Sequence, residues 1–115
     1  MDLIIGGAYQ GKLTWAAAQY GLREGDVCDL AREPVRPARC YTHLEALTAQ
    51  GDGQDALPLL LAAEAVISRE IGCGVVPVER QQRQWRERHG KLLRRLAQES
   101  GHVYRIFCGL KEELK

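Results

Sequence analysis

Seven residues near the amino terminus, Gly6-Gly7-Ala8-Tyr9-Gln10-Gly11-Lys12, fit the spacing G-x-x-x-x-G-K. Glycines let the backbone curl so that successive N–H groups point into one concavity, which suits phosphate oxygens. Helix-forming residues follow Gly11, so the positive end of a helix dipole faces the same spot, and Lys12 adds a mobile cation. Leu13 stands where this pattern normally has the Ser or Thr that holds Mg²⁺. Thr14 comes one residue late, turned roughly 100° around the helix. The chemistry offered is nucleoside-phosphate binding; the alternative is a glycine-rich turn with no ligand. A carboxylate could complete such a site. Asp29 (or Asp26) lies at the end of a short apolar stretch, where it either orients Mg²⁺ or serves as a turn carboxylate.

These groups need elements to hold them. Leu3-Ile4-Ile5 reads as a strand entering the loop, and residues 12–20 as a helix stopped by Gly21. Residues 26–30 read as a short second strand. Residues 31–40 contain Pro34 and Pro37 and read as a connector, in which Arg32, Arg36 and Arg39 either meet a phosphate-rich ligand or are solvated. A helix is expected from Thr42, with Thr42 as N-cap, Glu45 closing a capping box and Leu44 and Leu47 facing inward. His43, in its first turn, reads as a surface residue. Residues 51–55 break the chain, and a short helix carries Leu57, Leu60 and Leu61, with Pro58 in its first turn.

Ala65-Val66-Ile67-Ser68 reads as a buried strand, followed by a second glycine-bearing loop with Glu70, Gly72 and Gly74. From about 78 to 98 the period is helical: Trp85, Leu92, Leu93 and Leu96 mark one face and arginines the rest. Glu79, Glu87 and Glu99 interleave with them, so a solvated or oligomer-facing helix is expected over a nucleic-acid surface. Gly90 inside it implies close packing or a bend. Residues 103–108 close the fold as a strand, and Gly109-Leu110 begins a tail. Strands separated by helices imply an α/β fold with a small, mostly parallel sheet. Ligands then bind beyond the carboxyl ends of the strands, which brings the 6–12 loop, Asp29 and the 70–74 loop to one edge.

The whole chain sets bounds on this. Its 115 residues make one domain, spanning 1–115, and a net charge of +1 argues against nucleic-acid binding by bulk charge. No apolar run approaches a membrane span and the first residues do not resemble a signal peptide, so a cytoplasmic protein is expected. Cys28, Cys40, Cys73 and Cys108 form no C-x-x-C pair and are expected to be reduced, buried or half-buried residues.

The stretch Ile67-Ser68-Arg69-Glu70-Ile71-Gly72-Cys73-Gly74-Val75-Val76-Pro77 resembles the S-N-E-V-G-x-G-I-V-P signature of adenosylcobinamide kinase/adenosylcobinamide-phosphate guanylyltransferases, the bifunctional enzymes of cobalamin biosynthesis. The similarity continues through Arg80, Arg83, Trp85, Arg86, Glu87, Gly90, Leu96-Ala97, Val103-Tyr104, Gly109 and Leu114-Lys115. Gly6-Gly7-Ala8 and Gly11-Lys12 resemble that family's G-G-A-x-S-G-K-S loop. Between them the chain is contracted, with Arg69 for the signature's Asn and no match to the segment bearing the guanylyl-accepting histidine.

The resemblance implies a P-loop NTPase-like (RecA-like) three-layer domain. It also implies phosphoryl transfer from ATP or GTP, with Mg²⁺, to the adenosylcobinamide hydroxyl, in a cytoplasmic homo-oligomer that uses corrinoid substrates and neither nucleic acid nor membrane. On that reading Gly6, Gly7, Ala8, Tyr9, Gln10, Gly11, Lys12, Leu13, Gly72 and Gly74 bind nucleotide. Lys12, Glu70 and Asp29 are the catalytic candidates, Glu70 and Asp29 reach the metal, and His43 is the only nearby substitute for the guanylyl acceptor. A relative that binds nucleotide or a partner without catalysis is the other reading.

Overall fold

A computed structural model describes residues 1–71 and 79–115. Gly72, Cys73 and Gly74 therefore lie outside the described residues. Leu3, Ile4 and Ile5 form β1 (Asp2–Gly6), and the β-branched run at 65–68 forms β4 (Ala65–Arg69). Both lack polar alternation because both faces of the sheet are covered. β1 pairs in parallel with β4 (Leu3↔Val66) and with β5 (His102–Phe107; Leu3↔Val103). With β2 (Val27–Asp29), β3 (Cys40–Thr42) and β6 (Leu110–Glu113), the sheet order is β2-β3-β4-β1-β5-β6, and only β6 is antiparallel.

The period-2 geometry of strands sends successive side chains to opposite faces. Ile4, Ile67, Tyr104 and Ile106 pack with Ala16 of α1 (Lys12–Tyr20). Leu3, Val66 and Val103 pack with Leu44 of α2 (Leu44–Thr48), Leu60 of α3 (Leu57–Ala62) and Leu92 and Leu96 of α4 (Arg80–Glu99). This is the three-layer, P-loop-like α/β arrangement expected. Among the described residues no helix is long and apolar enough to cross a membrane.

Several expectations are corrected. Residues 40–42 are a strand rather than the end of a connector. All three are buried, and Tyr41 donates its hydroxyl to Arg36 O at 2.5 Å. Thr42 therefore ends β3 and does not cap α2. The cap position is His43, in the left-handed region at φ 59° with no capping bond, and the Glu45 carboxylate accepts instead from the Arg69 backbone N–H (2.8 Å). The carboxy-terminal tail is a strand as well: Cys108 (φ 51°) and Gly109 (φ 75°) make a two-residue turn with both central residues at positive φ, which matches strand twist and closes a β5–β6 hairpin. That turn leaves Cys108 exposed, while Cys28 and Cys40 are buried as expected. Lys115 then donates to Ala97 O, Gln98 O and Ser100 O, a cation on the carboxyl end of α4.

At Gly90, expected to permit close packing or a bend, a Cβ would meet only Arg94 Nη1, at 3.5 Å, among the described residues, so packing there does not demand a glycine. Glycine costs a helix interior about 1 kcal/mol against alanine. Gly90→Ala is therefore expected to raise stability by about 0.5–1 kcal/mol, read as a higher urea midpoint at unchanged slope.

Candidate active site

The glycine-bearing loop leaves β1 at Gly6 and enters α1 at Lys12. Tyr9 (φ 59°) and Gly11 (φ 85°) supply left-handed conformations that curl it. α1 begins with no side-chain cap and no acidic residue in its first turn, so its amide ends and dipole are available to an anion. The β5–β6 turn braces the loop from outside. Gln10 Oε1 accepts the Cys108 N–H at 2.8 Å, and Gln10 O accepts the Gly109 N–H at 2.9 Å.

A cavity of about 320 Å³ opens against this loop, within the range of small-ligand sites. Residues 8–14 line one side. The other comprises Thr42 at the end of β3, His43, Glu45 of α2, and Ile67 and Arg69 of β4. The cavity thus sits at the carboxyl edge of the parallel strands, where such folds place ligands. Lys12 Nζ donates to Gly7 O at 2.6 Å. Burial holds its ammonium below the usual lysine range, and Arg69 acts the same way against the opposing pull of Glu45 and Glu70.

The predicted residues divide among three places. Ala8, Tyr9, Gln10, Gly11, Lys12, Leu13 and His43 line the cavity, whereas Gly6 and Gly7 form the loop's root. Leu13 is exposed at the position of the missing hydroxyl; Thr14 also reaches the lining. Asp29 stands one bond behind: its Oδ1 lies 2.8 Å from His43 Nδ1 and also accepts the Ala31 N–H at 3.0 Å. A carboxylate accepts only, so Nδ1 carries the hydrogen directed at Asp29. Glu70 is not in the lining. Its backbone N–H donates to Gly6 O at 2.9 Å and its carboxylate pairs with Arg105 at 3.4 Å.

The connector arginines resolve differently. Arg39 precedes β3, at the amino edge of the sheet, and binds Glu64, Asp26 and Tyr20 O; Arg36 binds Glu33 and Val27 O. Both stitch the chain far from the loop. Arg32 pairs with Asp29 at 3.6 Å and is largely exposed.

Glu45, Arg69 and Thr42 were not expected at the site. Glu45 read as a capping partner and Thr42 as a cap, so their local roles hid their tertiary one. His89 was also missed. It is fully buried, with Nδ1 2.8 Å from Thr48 Oγ1 and Nε2 2.8 Å from Ser68 Oγ. It shares the stripe of Trp85, Leu92 and Leu96, and a histidine among core positions signals buried hydrogen-bond partners.

Burial pushes His89 below the ordinary histidine range. The unfolded chain then binds a proton that the folded chain does not, so this residue's contribution is complete above about pH 6.5 and is lost as pH falls through the lowered folded value. Thermal melts from pH 7.5 to 5 should show a steeper loss for the wild-type protein than for His89→Gln.

A family model described as cobinamide kinase / cobinamide phosphate guanyltransferase matches residues 44–114. The match contains Glu45, Arg69, Glu70, His89 and the β5–β6 hairpin, and it begins after the 6–12 loop, Asp29 and His43. No curated protein matches the chain. With more than half of its length matched, the chain belongs to the cobinamide kinase / cobinamide phosphate guanyltransferase family.

Proposed function

We propose that this chain is a compact nucleotide-dependent transferase, which moves the γ-phosphoryl group of ATP or GTP to the hydroxyl of adenosylcobinamide. The observation that carries it is the shared cavity: Lys12 and the amide end of α1 face Glu45, Arg69 and His43 across one space at the carboxyl edge of the sheet. Lys12 and the loop amides would neutralise phosphate charge, and Arg69 would bind a non-bridging oxygen. Glu45 is better placed than Glu70 or Asp29 to accept the substrate's hydroxyl proton, since it lines the cavity and those two carboxylates do not.

Magnesium takes one or two carboxylates and keeps its other positions for water and phosphate oxygens. Among the described residues no group of three His, Cys, Asp or Glu side chains converges on one point. The donors present, Glu45 with the hydroxyls of Thr14 and Thr42, suit an ion that arrives with the nucleotide. Its contribution would be to offset charge on the transferring group. His43, with Nδ1 fixed by Asp29, is the group that would accept a guanylyl unit on Nε2.

Leu13 favours a second reading, nucleotide binding without turnover, because the usual metal-holding hydroxyl is missing. Calorimetric titration with GTP and ATP, with and without Mg²⁺, separates the two. Binding strengthened by Mg²⁺, with phosphorylation of adenosylcobinamide by the purified protein, supports transfer. Binding indifferent to Mg²⁺ with no product supports the second reading, and no binding overturns both. The reading places the protein in the cytoplasm, where triphosphates are supplied, as a homo-oligomer with corrinoid and nucleotide as its small-molecule partners. The reading leaves nucleic acid out because acidic residues interleave with the arginines of α4, as where Arg95 pairs with Glu99.

A further inference from the structure

We infer that His89 is a positioning residue for the cavity wall: through Thr48 and Ser68 it sets where Glu45 and Arg69 stand opposite Lys12, without touching ligand. The inference rests on the proposed nucleotide site for its functional consequence, and on geometry alone for its structural one.

His89 lies on α4, which is outside the cavity lining, yet each ring nitrogen ends on a different wall element. Nδ1 meets Thr48 Oγ1 of α2 and Nε2 meets Ser68 Oγ of β4, both at 2.8 Å. Neither hydroxyl stops there. Thr48 Oγ1 lies 3.2 Å from Glu45 O and accepts the Trp85 indole N–H at 3.1 Å. Ser68 Oγ lies 3.0 Å from Arg69 O. On the cavity side the circuit closes, because the Glu45 carboxylate accepts the Arg69 N–H at 2.8 Å. A ring of contacts at hydrogen-bonding distance therefore runs from His89 through Thr48 to Glu45, across to Arg69, and back through Ser68.

A neutral imidazole and two hydroxyls carry three hydrogens for the four contacts around His89, so each tautomer makes three of them at a time. With hydrogen on Nε2, His89 donates to Ser68, Ser68 donates to Arg69 O, and Nδ1 accepts from Thr48, while Trp85 still serves Glu45 O at 3.1 Å. With hydrogen on Nδ1, the Thr48 hydroxyl turns to Glu45 O and the Ser68 hydroxyl turns to Nε2. Both neutral forms leave the imidazole satisfied, so it can occupy a fully buried position. Removing it takes one buried partner from each hydroxyl and breaks the link from α4 to Ser68 of β4, while Trp85 and Arg88 still tie α4 to α2. The charged groups facing this ring are Glu45 of α2 and Arg69 of β4. Both also act electrostatically on Lys12, alongside Glu70.

The test is site-resolved amide exchange by NMR on the full chain, with nucleotide affinity measured on the same samples. His89→Leu should lower protection of the Arg69 amide about tenfold or more while Ile4 and Val103 in the central strands keep theirs, the size expected for losing one buried hydrogen-bonded link. His89→Gln, whose amide can still reach Ser68, should restore Arg69 protection. In the Glu45→Gln background, His89→Leu should add little to the loss of nucleotide affinity, since both changes act through one wall.

Equal protection of Arg69 in wild type and His89→Leu overturns the inference, as does a full additive loss of affinity in the double variant. Should His89→Leu fail to fold, His89→Gln against Thr48→Val gives the same comparison, and an Arg69 amide unchanged in both again overturns it. A wild-type protein that binds no nucleotide, yet loses Arg69 protection in His89→Leu, upholds the wall and defeats only the transferase reading.

Discussion

Lys12→Ala is expected to cut nucleotide-dependent turnover by about a hundredfold or more, the scale seen when one preorganised donor to transition-state charge is removed. The fold should survive. The ammonium's recorded protein bond is to Gly7 O, in the loop itself, and losing one such bond costs about 0.5–1.5 kcal/mol. The packing that holds α1, around Ala16, is untouched. Turnover with each triphosphate and a thermal melt on the same preparation check both halves. Unaltered turnover in Lys12→Ala would show that this loop is not the phosphate site. A companion change has the opposite sign: Leu13→Ser replaces an exposed apolar side chain with the hydroxyl that the pattern expects, at no cost to the core. Nucleotide affinity should then become more dependent on Mg²⁺, which calorimetry with and without the ion reads directly.

The elements legible in the sequence share one property: their burial pattern is written locally. β1 and β4 are short β-branched runs because both sheet faces are covered, and α4 shows its apolar stripe at helical spacing. α1 ends on Gly21 at φ 64°, as its glycine stop predicts. β3 was not legible because it is three residues long and follows a proline-bearing connector, too short for alternation to register. β6 was hidden because all of Leu110–Glu113 is exposed, so an edge strand there carries no buried face, and its turn uses Cys-Gly instead of the usual Asn-Gly.

The site divides along the same line. Its 6–12 loop is contiguous, and glycines with a lysine announce it. Its opposite wall is assembled from the ends of β3 and β4 and the start of α2, each of which had an adequate local explanation. Glu45 fitted a capping box as well as any glutamate three residues after a threonine, yet His43 at φ 59° displaced the cap and freed the carboxylate for Arg69. Nothing short of the strand pairing Asp29↔Thr42 brings Asp29 beside His43. Even so, the apolar stripe of α4 contained a histidine, and that was a readable sign of buried polar partners.

Gly6→Ala should lower stability by about 1–3 kcal/mol, the usual cost of forcing an extra methyl group into a filled space. A Cβ at Gly6 would stand 2.6 Å from Ile106 O, which is a backbone atom and cannot rotate away. Relief requires β5 to move from β1 just beyond their last register pair, Ile5↔Arg105. β5 runs on into the Cys108–Gly109 turn whose N–H groups hold Gln10, so the strain passes into the 6–12 loop. Gly7 is the control. Its added Cβ would meet only Gln10 Cγ at 3.7 Å and Nε2 at 4.0 Å, ordinary contacts with a side chain that can yield. Gly7→Ala should therefore melt close to wild type, while Gly6→Ala melts lower by about 4–8 °C for each kcal/mol lost. Nucleotide affinity should fall in Gly6→Ala even at temperatures where it is fully folded, because the brace on Gln10 has shifted. Equal melting of the two variants would mean that β5 does not press on the root of the loop, and the brace would lose its basis.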